Sequence, residues 1–342
     1  MQFDVLIVGQ GLAGTVLGEK FLQQGKSVYF IDQGLKNASS MVAAGMYNPV
    51  VFKRVNKSWM VDEILPAALD FYRQFSVKLN SNLIRPYQIL KFFANEDYRK
   101  MWEKELPNVQ YLNPAEDLYE NKEIINDFGY GRVTSAGRVV LKDMLTLFRD
   151  QLKASECLLE EKFNYDLLNP EDGMYKGIKF DQLIFCQGHE GIDNELFNWL
   201  PQQTAKGDLL QIHAPNIRSK ELLNRGFFIM PLGEDQYLVG STYNWKDKTV
   251  SPTQEGKEQI LEKLKKLYKG PFEIVKHTAG IRPTVSDRRP LIGWHPQNKN
   301  IGIFNGLGAK GVMLAPYFAD QMVASVNAEN VIHPEVDIQR FN

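Results

Sequence analysis

The order of apolar and polar positions at the start of the chain predicts a strand, a helix and a second strand. Residues 3–8 form an apolar run, and residues 12–24 carry apolar positions at helical spacing. Residues 27–31 are again largely apolar, as in a buried strand. This strand–helix–strand order is typical of α/β proteins with a parallel sheet.

Helix and strand patterns return on either side of a charged middle segment. Apolar residues from about Val61 to Phe75 are spaced by four and three positions, which predicts a helix. Residues 80–130 are mixed, charged and interrupted by prolines. Residues 141–152 then suit a helix, and residues 180–186 form an apolar strand that runs into a glycine.

The composition of the chain changes again after residue 205. Residues 227–232 and 237–242 are short apolar runs separated by a turn with Gly-Glu-Asp, which predicts a hairpin. Ser251, followed by Pro-Thr-Gln, is expected to cap a helix. From Gly280 onward the pattern is strand, glycine-rich turn and helix, which favours two interleaved domains over two separate ones.

Composition narrows the class of protein. The 342 residues are 44% hydrophobic with a net charge of −1, so we expect a large core and no broad attraction to nucleic acid or anionic membranes. Cys157 and Cys186 are too few for a disulfide framework or thiolate metal site, and the five histidines show no ligand spacing. No apolar run reaches membrane-spanning length. We therefore expect a soluble, cytoplasmic protein without a metal or a nucleic-acid partner.

A GxGxxG sequence follows the first predicted strand and opens the first helix. Gly9 permits the tight turn, Gly11 lets a phosphate approach the backbone, and Gly14 lets the helix pack on the strand. Asp32 ends the second strand, where a carboxylate can accept hydrogen bonds from ribose hydroxyls. An ordinary glycine-rich turn is the alternative, but strand, helix and acid together favour a dinucleotide. The motif alone leaves FAD and NAD open.

Further short motifs narrow this choice. They lie at residues 40–46 (Ser-Met-Val-Ala-Ala-Gly-Met), 185–188 (Phe-Cys-Gln-Gly), 206–208 (Lys-Gly-Asp), 280–283 (Gly-Ile-Arg-Pro), 306–311 (Gly-Leu-Gly-Ala-Lys-Gly) and 338–341 (Ile-Gln-Arg-Phe). In order and spacing, the chain resembles the FAD-dependent D-amino-acid oxidase and glycine/sarcosine oxidase superfamily over nearly its whole length.

The resemblance implies a fold of the α/β (α+β) class with two domains. A discontinuous, Rossmann-like FAD-binding domain would comprise residues 1–78, 132–204 and 278–342. An antiparallel-sheet substrate domain, residues 79–131 and 205–277, would cover the flavin.

The resemblance also implies which residues contact the FAD. They are Gly9, Gly11, Leu12, Ala13, Gly14, Asp32, Gln33, Ser39, Ser40, Ala44, Gly45, Met46, Gly188, Gly280, Arg282, Gly306, Leu307, Gly308, Ala309, Lys310, Gly311 and Val312. Ser40 would help to hold the pyrophosphate and residues 44–46 would lie along the isoalloxazine, although Ser39 and Ser40 could also simply cap a loop. The glycine-rich turn before Val312 could point a helix N-terminus at the flavin pyrimidine, or be only a tight turn.

Three residues are candidates for substrate contact or catalysis. The resemblance implies that Arg282 binds a substrate carboxylate, which suits its paired donors; an ion pair with Asp287 is the structural alternative. Tyr243 would overhang the flavin, and Lys310 would face either the flavin or solvent. Phe228 stands where glycine oxidases carry a tyrosine; this difference removes one hydroxyl, so the resemblance does not imply strict glycine oxidase specificity.

The attachment of FAD is expected to be non-covalent. Sarcosine oxidases of this superfamily often bind FAD through a cysteine shortly after the substrate arginine, and residues 284–287 read Thr-Val-Ser-Asp here. His189 and His295 follow strand ends and are expected to be polar loop residues.

The expected activity is oxidation of the C–N bond of a small amino acid or secondary amine. Hydride transfer to flavin N5 would give an imine, and water would convert it to an oxo acid. Residues 45–49 (Gly-Met-Tyr-Asn-Pro) also resemble the oxidase half of a bifunctional enzyme that acts on carboxymethylaminomethyl-uridine of tRNA. A non-catalytic flavin-binding protein is the third alternative. The electron acceptor and the oligomeric state stay open.

Overall fold

The structure is a computed structural model that describes residues 1–36, 38–328 and 331–341. Its strands in chain order are β1 (Gln2–Val8), β2 (Val28–Ile31), β3 (Met46–Tyr47), β4 (Val50–Val51), β5 (Asn56–Lys57), β6 (Ile84–Phe92), β7 (Tyr130–Val139), β8 (Leu158–Leu159), β9 (Leu168–Asn169), β10 (Met174–Tyr175), β11 (Ile178–Phe185), β12 (Gln202–His213), β13 (Leu222–Asn224), β14 (Phe228–Gly233), β15 (Gln236–Gly240), β16 (Glu273–Val285), β17 (Leu291–Trp294) and β18 (Ile301–Asn305).

The α-helices lie between these strands. They are α1 (Leu12–Gln23), α2 (Ser39–Val42), α3 (Val61–Lys78), α4 (Glu96–Glu105), α5 (Leu141–Ala154), α6 (Gln254–Lys265) and α7 (Gly311–Ala324). The helices and strands predicted at residues 3–31, 61–75, 141–152 and 180–186 are confirmed to within a few residues at their ends. No helix of the described residues is long and apolar enough to cross a membrane.

The first sheet, sheet A, is the Rossmann-like part of the fold. Its strands lie in the order β17-β18-β11-β1-β2-β8, and all neighbours in this order are parallel except β17 and β18. Strand β1 lies in the middle of this sheet. Its residues 5–8 are all apolar and buried, as expected for a parallel strand that is covered on both faces. Helix α1 packs against α7, which brings the two ends of the chain together.

The second sheet, sheet B, is long and mostly antiparallel. Its order is β16-β12-β15-β14-β13-β6-β7-β3, with only the β13–β6 pair parallel among the described strands. Strands β14 and β15 form the predicted hairpin, whose turn holds Glu234 and Asp235 at positive φ. Buried side chains of sheets A and B belong to one apolar cluster, so the sheets share a core.

The structure corrects the predicted start of helix α6. Thr253, and not Ser251, is the N-cap: its hydroxyl accepts a hydrogen bond from the amide of Gly256 at 3.1 Å. The amide of Thr253 itself donates to buried Asp208 at 2.9 Å, which fixes the cap two positions later than the sequence indicated. This contact is between distant residues, so local pattern could not reveal it.

The charged middle segment contains regular structure that the sequence pattern did not show. Strand β6 and helix α4 lie between residues 80 and 130. Strand β6 carries Pro86 and a buried lysine, which interrupt the usual alternation. Strands β7 and β16 belong wholly to sheet B and run across the expected domain boundaries at 131/132 and 277/278. The division into two domains stays a prediction.

Candidate cofactor and substrate site

A cavity of about 1200 Å³ lies between sheet A and one face of sheet B. It opens at the carboxyl ends of the parallel strands β1, β2, β11 and β18, where ligands bind in open α/β sheets. Its volume exceeds the roughly 300–1,000 Å³ of most ligand pockets. The cavity therefore has room for a dinucleotide and a small second molecule.

Most of the residues predicted for the site line this cavity. They are Gly9, Gly11, Leu12, Ala13, Asp32, Gln33, Ser39, Ser40, Ala44, Gly45, Met46, Gly188, Gly280, Arg282, Leu307, Gly308, Ala309, Gly311, Val312 and also Tyr243. Gly14, Gly306 and Lys310 do not line it. The structure thus brings together segments that are up to 300 residues apart in sequence.

The three glycines of the GxGxxG motif meet different constraints. Gly9 has a φ of 103°, and a Cβ there would lie 2.5 Å from the carbonyl oxygen of Cys186. A Cβ at Gly14 would overlap the carbonyl oxygen of Gly9, so Gly14 allows helix α1 to pack closely on the turn. At Gly11 the nearest atom to a Cβ is Ser40 Oγ at 3.8 Å, which leaves the backbone open to the cavity.

Two helix N-termini face the cavity. Helix α1 begins at Leu12, whose amide donates to Ser40 Oγ at 3.2 Å, and the start of helix α7 at Gly311 packs against the Leu12 side chain. The first amides of a helix have no partner within the helix and carry partial positive charge. Ser39 Oγ donates to the carbonyl oxygen of Ile281, which ties α2 to sheet B.

Asp32 lies in a network that the sequence did not predict. Its Oδ2 accepts from the amide of Gln10 at 2.8 Å, and its Oδ1 accepts from Gly34 N at 2.8 Å and from Arg149 Nη1 at 2.7 Å. Arg149 comes from helix α5, is only 6% exposed, and also donates to the side chain of Gln10 at 2.9 Å. A carboxylate has about four acceptor positions, so Asp32 retains one toward the cavity.

Arg282 extends from β16 into the cavity. Its Nη2 donates to Ser241 Oγ at 2.6 Å, and its Nη1 donates to the carbonyl oxygen of Thr242 at 3.3 Å. The ring of Tyr243 covers the guanidinium, with 4.1 Å between Cζ and the ring centroid. A Cβ at Gly207 would collide with the guanidinium, so this glycine makes room for it.

Arg282 has no acidic partner among the residues that the structure describes. Asp287, the alternative partner considered from sequence, instead binds Arg340 at 2.9 Å. Burial lowers the pKa of Arg282 from its ordinary value, and the smaller electrostatic contribution of Tyr243 opposes that shift. The cavity therefore contains a cation whose charge is not compensated by any carboxylate of the described residues.

Lys310 faces neither the cavity nor open solvent. Its Nζ donates to Ser58 Oγ at 2.8 Å, and the residue is half-buried. Burial, with a smaller contribution from Arg289, lowers the pKa of Lys310 to about 8. The amine of Lys310 therefore points away from the cavity, toward Ser58.

Cys186 is buried, and His189 and His295 are partly buried. Cys186 lines the cavity beside Gly9, and burial raises the pKa of its thiol. Burial lowers the pKa of His189, whose Nδ1 lies 3.5 Å from Ser39 Oγ, and of His295. Within residues 1–36, 38–328 and 331–341, no group of histidine, cysteine and acidic side chains could hold a metal ion.

The parallel sheet and the cavity at the carboxyl ends of its strands are typical of dinucleotide-binding proteins. The sequence pattern of the FAD dependent oxidoreductase family (DAO) matches residues 4–325, and the chain belongs to this family. It is an FAD-dependent oxidoreductase.

Comparisons with individual proteins agree with this assignment. Glycine oxidase of Bacillus licheniformis is 22% identical over 94% of this chain and 92% of its own length. The tRNA 5-methylaminomethyl-2-thiouridine biosynthesis bifunctional protein of Idiomarina loihiensis is 22% identical over 95% of this chain, which spans only 56% of that protein. The crystal structure of glycine oxidase from Geobacillus kaustophilus superposes with a TM-score of 0.81 at 17% identity, covering 97% of both chains.

Acid denaturation should release the FAD into solution. Cys157 does not line the cavity, and Cys186 lies at the Gly9 end with its thiolate disfavoured by burial, so neither thiol suits attachment to the flavin ring. The check is the absorption spectrum of the supernatant after precipitation with acid. Yellow colour retained in the pellet would show a covalent bond.

Gly45→Ala should destabilise the protein more than Gly25→Ala. Both glycines have similar positive φ, 69° and 74°, but a Cβ at Gly45 would overlap the carbonyl oxygen of Val139, whereas at Gly25 it would meet nothing within 4 Å. The backbone strain from positive φ is common to both variants. The difference between their losses in free energy of unfolding therefore reports the collision and should be about 2 kcal/mol. Denaturant unfolding of the two variants without added FAD measures this difference. Equal losses of free energy of unfolding in Gly45→Ala and Gly25→Ala would contradict the close packing at Gly45.

Proposed function

We propose that this enzyme oxidises the C–N bond of a small amino acid or secondary amine that carries a carboxylate. The observation that carries the proposal is the guanidinium of Arg282, which faces the cavity without a carboxylate partner among the described residues. A planar guanidinium binds a carboxylate through two parallel hydrogen bonds. A substrate carboxylate would supply the missing negative charge.

The opposite end of the cavity fits the nucleotide part of FAD. We infer that the open backbone at Gly11, the amides of α1 and the hydroxyl of Ser40 hold the pyrophosphate, and that Asp32 holds the adenosine ribose. Residues 44–46 and the start of α7 would then contact the flavin ring. When bound, FAD supplies the acceptor for a hydride from the substrate Cα.

The side chains at the substrate end position and shield the amine. Arg282 and Ser241 would hold the carboxylate, and the ring of Tyr243 would cover it from solvent. Phe228 and Leu209 add apolar walls that exclude water while the Cα–H bond is aligned. The N-terminus of α7 would stabilise negative charge at the flavin end of the cavity.

No acid–base pair is required for this chemistry. The amine must be neutral so that its lone pair can form the C=N bond as the hydride leaves, and the proton on nitrogen is lost to solvent. The imine is then hydrolysed by water to an oxo acid and ammonia or an amine. Among the described cavity-lining residues of sheet B there is no acidic side chain, in agreement with a role in positioning.

Matched amines test the proposal directly. Glycine and sarcosine should be consumed with formation of an oxo acid, whereas methylamine and dimethylamine, which lack the carboxylate, should react far more slowly. Oxo acid can be measured by derivatisation and chromatography, with several artificial electron acceptors in parallel because the acceptor is not known. Equal rates with and without the carboxylate would refute the proposed role of Arg282.

A second candidate substrate is the carboxymethylaminomethyl group of a tRNA wobble uridine. The similarity to the bifunctional tRNA-modifying protein favours it, and the group has the same N–CH2–carboxylate end that Arg282 would bind. Tyr243 and Trp245 are about half exposed, at 55% and 51%, and such aromatic rings can stack on bases. An anticodon stem-loop carrying this uridine should then reduce the flavin where sarcosine does not.

A further inference from the structure

A second cation without an acidic partner lies behind the substrate end of the cavity. Lys91 on β6 is only 6% exposed, and its Nζ donates to Asn224 Oδ1 at 2.9 Å. The ammonium also lies 5.1 Å and 5.0 Å from the ring centroids of Phe52 and Tyr98. No carboxylate in the described ranges pairs with it. A buried lysine held in this way is costly, which calls for an explanation.

Asn224 connects this lysine to the cavity. The residue ends β13, lines the cavity, and is 7% exposed. Its Oδ1 accepts from Lys91 and also from the amide of Gly226 at 3.3 Å, so both acceptor positions of the amide oxygen are used. The amide nitrogen has no hydrogen-bond partner in the part of the chain that the structure describes. Lys91 therefore fixes which end of the Asn224 amide remains available for a ligand.

Asn224 and Arg282 belong to the same wall of the cavity. Asn224 pairs with Phe228, and Phe228 pairs with Gly240, which precedes the Ser241 that binds Arg282. Gly240 and Asn224 are thus two strands apart, on the order of 10 Å at the usual spacing. The acidic residues that line the cavity are Asp32 and several residues between 161 and 195, and they lie toward the nucleotide end.

We propose that Asn224 binds a second carboxylate of the substrate, and that the enzyme prefers secondary amines with a carboxylate on each substituent. Asn224 would be a specificity-determining donor, and Lys91 a positioning residue that orients and polarises its amide. The positive charge of Lys91 favours a carboxylate over a neutral carbonyl at this position. The inference rests on the proposed function, because it takes the first carboxylate to lie at Arg282.

Two thioethers that cannot be oxidised as amines separate the two carboxylate sites. Thiodiacetate has a carboxylate on both sides of its sulfur, whereas (methylthio)acetate has only one. Binding is measured from the change in the flavin absorption spectrum of the FAD-loaded enzyme, without turnover. With a charge-assisted contact at Asn224, thiodiacetate should bind about tenfold more tightly or better.

Variants of Asn224 and Lys91 test whether these two residues cause the difference in affinity between the two thioethers. Asn224→Ala should weaken thiodiacetate binding about tenfold and leave (methylthio)acetate binding unchanged, because only the second carboxylate is lost. Lys91→Met keeps the approximate length of the side chain without its charge. It should partly reduce the preference for thiodiacetate over (methylthio)acetate. Asn224→Ser retains a donor on a shorter side chain, so its affinity for thiodiacetate should lie between that of Asn224→Ala and that of the wild type. Equal FAD content and thermal stability in the variants serve as the control for folding.

The pH dependence of the preference for thiodiacetate distinguishes an effect of the Lys91 charge from an effect of its packing. Burial, together with the nearby charge of Arg225, lowers the pKa of Lys91 to about 8. Tyr98, the other titratable group against it, has a pKa raised by burial and stays neutral. The preference for thiodiacetate should therefore be full below pH 8 and decline as the pH rises through 8. In Lys91→Met the preference should not show this decline.

The outcomes separate this inference from the proposed function. Equal affinity for the two thioethers, or an unchanged preference in Asn224→Ala and Asn224→Ser, would overturn the second carboxylate site and leave the first intact. Failure of both thioethers to bind would overturn the proposed function and this inference together. A preference for thiodiacetate in Lys91→Met that equals the wild-type preference below pH 8 would remove Lys91 from the site while retaining Asn224.

Discussion

Arg282→Ala should lower kcat/KM for a carboxylate-bearing amine by roughly a hundredfold or more, since a bound carboxylate would lose its paired donors in a partly desolvated pocket. FAD content should stay near wild type, because the contacts of Arg282 are with Ser241, Thr242 and the ring of Tyr243 rather than with the glycine-rich turn. Steady-state kinetics and the ratio of flavin to protein absorbance measure the two effects.

Two further variants control this experiment. Arg282→Lys should restore only part of the activity, since an ammonium keeps the charge but not the planar pair of donors. Arg85→Ala removes an arginine of sheet B that donates to the carbonyl oxygens of Asn82 and Ile84 outside the cavity, and should leave kcat/KM unchanged. Loss of flavin in Arg282→Ala would instead assign the arginine to the cofactor or the fold.

Asp32→Ala should weaken FAD binding on the order of ten- to a hundredfold, the usual effect of losing a charge-assisted hydrogen bond. The structure adds a second consequence. Asp32 also accepts hydrogen bonds from Gln10, Gly34 and Arg149, and its loss would leave buried Arg149 without this partner. The free energy of unfolding should therefore fall as well.

A double variant separates ribose binding from folding. In Asp32→Ala, buried Arg149 would keep only the half-exposed Glu160, at 2.9 Å, as an acidic partner. Adding Arg149→Met removes this buried charge, so the double variant should be more stable than Asp32→Ala alone while still binding FAD weakly. Fluorescence titration of the apoprotein with FAD and denaturant unfolding give the two quantities. FAD affinity that recovers with stability in the double variant would show that Asp32 supports the fold and does not contact the ribose.

The parts of the fold that depend on neighbouring residues could be predicted from sequence. The strand, glycine turn and helix around Gly9 and Gly14 follow from local steric demands, which the collisions at both positions illustrate. The hairpin formed by β14 and β15 follows from its apolar runs and turn residues in the same way. The predicted site residues therefore largely line one cavity.

The remaining parts depend on contacts between distant residues. Arg149 looks like a surface arginine on a predicted helix, and only the folded chain brings it 2.7 Å from Asp32. Lys91 likewise looks like an interruption in a strand until β13 places Asn224 beside it. Lys310 precedes the predicted helix at the glycine-rich turn, but the fold directs its amine to Ser58. Sequence pattern predicts some of the elements that carry these residues, such as α5, but neither β6 nor β13, and it predicts none of the pairs themselves.

Anaerobic mixing of the FAD-loaded enzyme with pairs of amines that differ only in a carboxylate tests whether the enzyme oxidises carboxylate-bearing amines through Arg282. The flavin band should bleach with amines that carry a carboxylate next to the reacting carbon, and should persist with the same amines lacking that carboxylate. In Arg282→Ala the bleaching should slow by roughly a hundredfold or more without loss of bound flavin. Flavin that stays oxidised with every carboxylate-bearing amine, or that bleaches equally with both sets, would contradict the account.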